Sequence, residues 1–225
     1  GEILSGWRLR NSNKPARIPE EHSETAFMTK RAMEFIEESK DKPWFLHLSY
    51  IKPHWPYMAP APYHNMYSAN EFYPVHRNDA ERNNDHPVYK AFMENSISKT
   101  FSKDEVRNTV LSGYMGLIKQ IDDNLGRLFK FLESSGHMDD TMIVFTSDHG
   151  DYQGDHWLGE KELFHEQSVR VPMIIYDPSD YANKTRGTKE ERFIEAIDLL
   201  PTFLDVVESP ASKHRLEGDS LIPLL

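Results

Sequence analysis

Met142-Ile143-Val144-Phe145 runs directly into Thr146-Ser147-Asp148-His149-Gly150-Asp151-Tyr152-Gln153-Gly154-Asp155-His156-Trp157-Leu158-Gly159-Glu160-Lys161. Four apolar residues of strand character thus end in a carboxylate and an imidazole. A loop with glycines at 150, 154 and 159 follows, carrying a second Asp-His pair and then a lysine. In open α/β sheets, ligands bind just beyond the carboxyl ends of the strands. The stretch therefore reads as a metal or phosphate site at a strand end.

Working outward, the pattern alternates helices and strands. Ser23 is placed to cap a helix whose apolar stripe (Ala26, Phe27, Met33, Phe35, Ile36) runs to about Ser39. After Pro43, Trp44-Phe45-Leu46-His47-Leu48-Ser49-Tyr50 is expected to be a strand covered on both faces, with His47 buried. Residues 51–100 are rich in proline, at 53, 56, 60, 62, 74 and 87. They predict a long excursion with little regular structure, packed through its aromatic residues and walling a pocket. Asp104 to about Ser134 shows three- and four-residue apolar spacing and a stop at Gly136. A second strand is expected over Val169–Tyr176, and a last helix over Glu191–Val207, interrupted or restarted at Pro201. Strands alternating with helices imply an α/β fold with a mostly parallel sheet flanked by helices.

The 225 residues suffice for a sizeable core in one large domain or two small ones. The balance of 26 basic against 36 acidic residues gives a net charge of −10, which disfavours a nucleic-acid partner. The same charge repels anionic substrates at long range, so a site for them must reverse the potential locally. Cysteine is absent, which removes disulfides, thiolate metal sites and cysteine nucleophiles from this chain. No apolar run is long enough for a membrane span, and the residues do not fix a compartment. The start, Gly1 to Trp7, shows no signal-peptide pattern, and the end at Leu225 is apolar, so both termini are expected to be cuts within a longer polypeptide.

Four residues stand out for chemistry. Asp148 and His149 offer the carboxylate and imidazole that divalent cations take, although two ligands do not close a site. The alternative is an Asp capping its turn beside a surface His. Lys161 lies 13 residues beyond Asp148, where a folded-back loop would bring its ammonium to an anionic oxygen. By itself it reads as a solvated lysine between Glu160 and Glu162. His54, in Ile51-Lys52-Pro53-His54-Trp55-Pro56-Tyr57, is held between prolines and aromatics and suits a general acid or anion contact. A histidine hydrogen-bonded within a proline turn is the competing reading. Asp155 and His156 are expected to satisfy their own loop backbone rather than orient a ligand. The other histidines (22, 47, 64, 76, 86, 137, 165 and 214) show no paired metal spacing. Trp55 or Tyr57 is available to stack on an aryl or sugar group.

Together these segments resemble the sulfatase family of the alkaline-phosphatase-like superfamily, and above all its phosphonate monoester hydrolase and arylsulfatase-like branch. The residues that carry the resemblance are Phe145 to Gly150, Gly154-Asp155-His156, Lys161, Gln167 to Ile175, Gln120-Ile121-Asp122-Asp123-Asn124-Leu125-Gly126, Lys52 to Tyr57, and Ile197 to Thr202. The resemblance implies an alkaline-phosphatase-like α/β fold, incomplete at both ends, and one partial catalytic domain over residues 1–225. It implies Asp148 and His149 as ligands of a divalent metal: calcium as in sulfatases, or manganese or zinc as in the phosphonate branch. It implies His54 and Lys161 as contacts to the transferred group and the leaving oxygen of a small anionic ester. Such enzymes use Lewis-acid stabilisation and a covalent intermediate on a formylglycine made from Cys or Ser.

The departure lies in what this sequence does not hold. No Cys/Ser-x-Pro/Ala-x-Arg segment is present, nor the acidic strand that precedes it in the family. The 225-residue chain alone is therefore expected to hydrolyse no ester. The leading reading is a metal-dependent hydrolase of sulfate, phosphonate or phosphate esters. The alternatives are a non-catalytic metal- or anion-binding module, and a phosphodiesterase or phosphomutase of the same superfamily.

Overall fold

A computed structural model describes residues 12–83, 86–211 and 213–225. Pro15 and Pro19 lead one to expect irregular structure over residues 1–19, of which residues 1–11 lie outside the described residues. The chain divides into two compact units: residues 1–135 with 149–171, and residues 136–148 with 172–225.

In the first unit, α1 spans Glu24–Ser39. It begins where expected because the Ser23 hydroxyl accepts from the Ala26 N–H, satisfying one of the orphan donors of a helix start. Ala32 and Ile36 on its buried face are 3% and 1% exposed. The long helix, α4, covers Asp104–Ser135, and Gly136 ends it at φ +79°, a left-handed conformation that glycine adopts without a Cβ penalty. Val106, Val110 and Leu117 form its buried stripe. Each such side chain contributes about 1.5–3 kcal/mol relative to exposure. The Gln120 amide donates to the Ser23 hydroxyl at 2.7 Å and the Asn124 amide to Glu20 at 3.0 Å, tying α4 to the start of α1.

The proline-rich excursion packs on α4 through its tyrosines, as its aromatic content suggested. Tyr57 joins Phe101, Val106 and Val110 in one cluster, and Tyr63 joins Ala59 and Leu117 in another. Its final third is more regular than expected: α2 covers Pro87–Glu94 and α3 covers Ser96–Phe101. Pro87 stands at the first helical position, where its missing N–H has no partner to lose, and the Asn95 side chain caps α3 through the Ser98 N–H. Tyr73, by contrast, is exposed.

In the second unit, β1 (Ile143–Thr146) pairs with β2 (Met173–Tyr176), with Ile143 opposite Tyr176 and Thr146 opposite Met173. This pair is antiparallel, so the parallel pairing expected of the sheet is not what joins these two strands. The ladder starts later than Val169 because residues 166–169 form a short helix, α5 (Glu166–Val169), and Pro172 has no N–H to donate. The last helix, α6, covers only Leu199–Val206. Pro201 fits only the first turn of a helix, where N–H groups have no intrahelical acceptor, so the helix starts just before it rather than at Glu191. The Thr202 hydroxyl accepts from the Leu221 N–H at 2.8 Å and the Asp198 carboxylate from the Asp219 N–H at 2.9 Å, which fastens the C-terminal segment to α6.

Residues 44–50 form neither helix nor turn, and among the described residues they join no ladder. Trp44, Leu46, Leu48 and Tyr50 are half-buried, while Phe45, His47 and Ser49 are exposed. The segment alternates as a one-sided strand does, and His47 lies on its open face, contrary to the expected burial. A run of strand-forming residues fixes an extended backbone, whereas a strand also requires a neighbour to receive its hydrogen bonds. No helix among the described residues is long and apolar enough to cross a membrane.

Candidate active site

The turn 51–57 and the loop 149–161 meet in the first unit, and they bring three of the four singled-out residues together. His54 sits in a turn closed by its own N–H on the Ile51 carbonyl, at 3.0 Å. The Lys52 ammonium donates to the His54 and Pro56 carbonyls, both at 3.3 Å, and so staples this turn from within. Burial pushes the Lys52 amine below its ordinary pKa. The His54 Nδ1 faces the Trp55 carbonyl at 3.1 Å. A carbonyl only accepts, so Nδ1 carries the proton and the Nε2 lone pair faces outward. Lys161 Nζ lies 3.0 Å from that Nε2 and supplies the donor. The His149 ring stands edge-on to the His54 ring, with 6.0 Å between centroids.

His149 is fixed by the same logic. Its Nδ1 donates to the Gly150 carbonyl at 2.7 Å, which selects the tautomer with its lone pair on Nε2, as a metal-ligating imidazole requires. The loop turns tightly here because residue 150 has no side chain. Its N–H donates to the Ser168 carbonyl at 2.7 Å, and a Cβ would lie 2.0 Å from the Gln167 carbonyl oxygen. Lys161 is held by its N–H on the Glu162 carboxylate and by its carbonyl, which accepts from the Ser168 hydroxyl.

Asp148 directly precedes His149 and belongs, with β1, to the second unit. Carboxylate and imidazole in succession are a donor pair suited to a divalent cation. Among the described residues, no group of three or more His, Asp or Glu side chains is gathered closely enough to hold an ion. The donor chemistry fits a metal, and the number of donors fits only part of its shell.

Asp155 and His156 do something other than satisfy their own loop. Asp155 accepts from the His76 N–H at 2.9 Å and the Gln167 amide at 3.2 Å. His156 pairs through Nδ1 with Glu81 at 2.9 Å and donates its N–H to the His76 carbonyl at 2.8 Å. The second Asp-His pair thus anchors the segment 76–81 to the glycine loop. Tyr57 also departs from expectation. Its ring is 2% exposed and its hydroxyl donates to Asp151 at 2.7 Å, so it supports the loop from the core and is not available for stacking on a ligand.

Lys52 and Asp151 carry no role in the sequence reading, although both lie inside the quoted motifs. Burial raises the Asp151 carboxyl pKa, opposed by the Tyr57 hydroxyl and the Gln153 N–H. Glu160, beside Lys161, is pushed up to about 7 from 4.5 by burial and then by the facing Glu162 carboxylate. The folded chain therefore favours its protonated form. That contribution to stability is complete below the unfolded pKa of 4.5 and is lost as pH rises through about 7. Glu160→Gln is expected to flatten the fall in Tm between about pH 5 and about pH 8, and an unchanged slope counts against this origin.

With this geometry in place, comparison with known proteins is decisive. Residues 5–209 match the family model described as Sulfatase. The chain belongs to the sulfatase family. It is 39% identical over 230 aligned residues to the multifunctional alkaline phosphatase superfamily protein PehA of Trinickia caryophylli, covering 95% of this chain and 43% of that protein. It is 30% identical to an arylsulfatase of Clostridium perfringens, covering 95% of this chain and 44% of that one. Its structure superposes on the phosphonate monoester hydrolase of Agrobacterium radiobacter with a TM-score of 0.85 and 29% identity, covering 95% of this chain and 44% of that enzyme. The alkaline-phosphatase-like α/β class read from the sequence is the class of these neighbours. This sulfatase-family chain spans less than half the length of the relatives it matches.

Proposed function

We propose that this chain contributes the anion-contacting half of a metal-dependent hydrolase of sulfate, phosphonate or phosphate esters. The observation that carries the reading is the 3.0 Å approach of Lys161 Nζ to His54 Nε2, with the His149 ring beside them. A cation and an imidazole placed so face the two places where charge develops in ester cleavage, the non-bridging oxygens and the departing oxygen. The Lys161 ammonium contacts the former. His54 takes up a solvent proton at Nε2, in place of the hydrogen bond from Lys161, and hands that proton to the latter. The Nδ1 bond to Trp55 and the Lys52 staple keep the ring aimed while this happens. Asp148 and His149 hold part of the coordination shell of a divalent cation, with calcium the leading choice and manganese or zinc the others. When bound, the ion supplies Lewis-acid stabilisation of the transferred group. The nucleophile and the remaining ligands come from residues other than these 225.

The test uses p-nitrophenyl sulfate and a phenylphosphonate monoester. The full-length protein turns over at least one of them in a chelator-sensitive way, and Asp148→Ala removes that turnover. The 225-residue chain by itself turns over neither. Activity of the full-length protein that survives both chelation and Asp148→Ala sinks the reading, and so does turnover by the 225-residue chain.

A further inference from the structure

The first unit carries a second concavity, of about 270 Å³, which the ester-hydrolase reading does not use. Its wall is built by Arg82, by Lys90, Met93 and Glu94 of α2, by Lys99 of α3, by Ser102 and by Trp157 of the glycine loop, so that apolar Met93 and the indole share it with the charges. Three cations thus meet one carboxylate on a chain whose net charge is −10. Among the described residues, neither Lys90 nor Lys99 forms an ion pair, and Arg82 reaches only Asp79, at 3.9 Å. Like charges gathered in a concavity raise its potential, and a bound anion lowers the free energy of all three at once.

Trp157 is the feature that makes this more than a solvated basic face. Its φ is +63°, a left-handed conformation that a bulky side chain rarely adopts. The surroundings hold it there. The indole N–H donates to the Asn78 carbonyl at 2.8 Å, and the guanidiniums of Arg82 and Arg77 lie 3.5 and 4.2 Å from the ring centroid. The strained residue therefore positions Arg82 against the cleft through its ring. A volume at the lower edge of small-molecule sites, about 300 Å³, suits one tetrahedral group, with anything larger that carries it lying outside the cleft.

We propose that this cleft binds a tetrahedral oxyanion, either inorganic sulfate or phosphate or the charged group of a larger sulfated or phosphorylated sugar. Lys90, Lys99 and Arg82 supply the charge, and Glu94 limits the affinity, while the Ser102 hydroxyl is spent on the Lys99 carbonyl at 2.9 Å. The proposal does not depend on the ester-hydrolase reading.

Its test is titration of the full-length protein, in low salt, with sodium sulfate, sodium phosphate and glucose 6-sulfate, read by calorimetry and by tryptophan emission. The double variant K90A/K99A is expected to weaken binding at least tenfold, and E94Q to tighten it several-fold, while K161A leaves this binding unchanged. Tighter binding of glucose 6-sulfate than of the bare ions identifies a sugar-borne group as the ligand, and equal binding identifies the free ion. Binding that K90A/K99A and E94Q leave untouched, or that K161A alone removes, overturns the proposal, as does the absence of binding by the unaltered protein. Both substituted lysines are exposed, and an unchanged melting curve of K90A/K99A confirms that a loss of binding is not a loss of fold.

Discussion

If Lys161 contacts the transferred group as proposed, Lys161→Ala in the full-length protein is expected to lower kcat by about 10²–10³-fold while the protein keeps its melting temperature, because one preorganised donor to a developing oxyanion is worth about that much. The side chain is positioned by bonds its own truncation leaves in place: the main-chain N–H on Glu162 and the carbonyl held by Ser168. The fold is therefore preserved while the ammonium facing His54 Nε2 is lost. Lys161→Arg keeps the charge but not the compact, strongly hydrated ammonium, and restores only part of the rate. Steady-state kinetics on a p-nitrophenyl ester with a poor and a good leaving group separates the roles. Loss for both leaving groups marks contact with the transferred group, as proposed. A KM-only effect, with kcat unchanged, contradicts it.

The largest loss of stability is expected from Phe101→Ala. Phe101 is 1% exposed at the end of α3, its ring edge-on to Tyr57 with 6.1 Å between centroids, in the cluster with Val106 and Val110. On its other side it lies so close to Gly159 that a Cβ there would come within 2.5 Å of the ring. Truncating a buried phenylalanine costs about 3–5 kcal/mol, a large part of the total stability of an ordinary domain. Denaturant unfolding of the first unit should show that loss as a lower midpoint at constant m-value. Because Phe101 wedges between the turn bearing His54 and the loop bearing Lys161, kcat should fall as well, whereas Phe101→Leu, which keeps most of the volume, should largely restore both. A loss well under 1 kcal/mol would show that the cluster does not hold these elements.

Much of the local structure was legible because short-range chemistry decides it. Ser23 caps α1 through a bond to a residue three positions on, and Gly136 stops α4 through its own φ. His54 is held by atoms of its own turn, and His149 by the very next carbonyl. Elements that depend on a distant partner were read less well. Residues 44–50 had the composition of a covered strand, but an extended segment becomes a ladder only beside a neighbour. β2 is shorter than its apolar run suggests because Pro172 and α5 outweigh that run. Lys52 has no role in the sequence reading and Tyr57 has a stacking role that the structure does not allow, because each acts through atoms whose proximity no spacing rule reveals: two carbonyls of a folded turn, and a carboxylate 94 positions away.

The sequence by itself determined which residues are candidates for the chemistry, since a carboxylate, an imidazole and an ammonium are recognisable by residue type wherever they lie. It determined the family too, through motifs whose order along the chain survives without coordinates. Only the tertiary structure decided which of them lie together. It brought Lys161 across 107 positions to His54 and set the His149 ring beside it. It also gave the second Asp-His pair to the 76–81 segment instead. The physical reason is that reach, unlike reactivity, belongs to packing: the buried Tyr57, Phe101 and the helix stripe behind them fix where turn and loop meet.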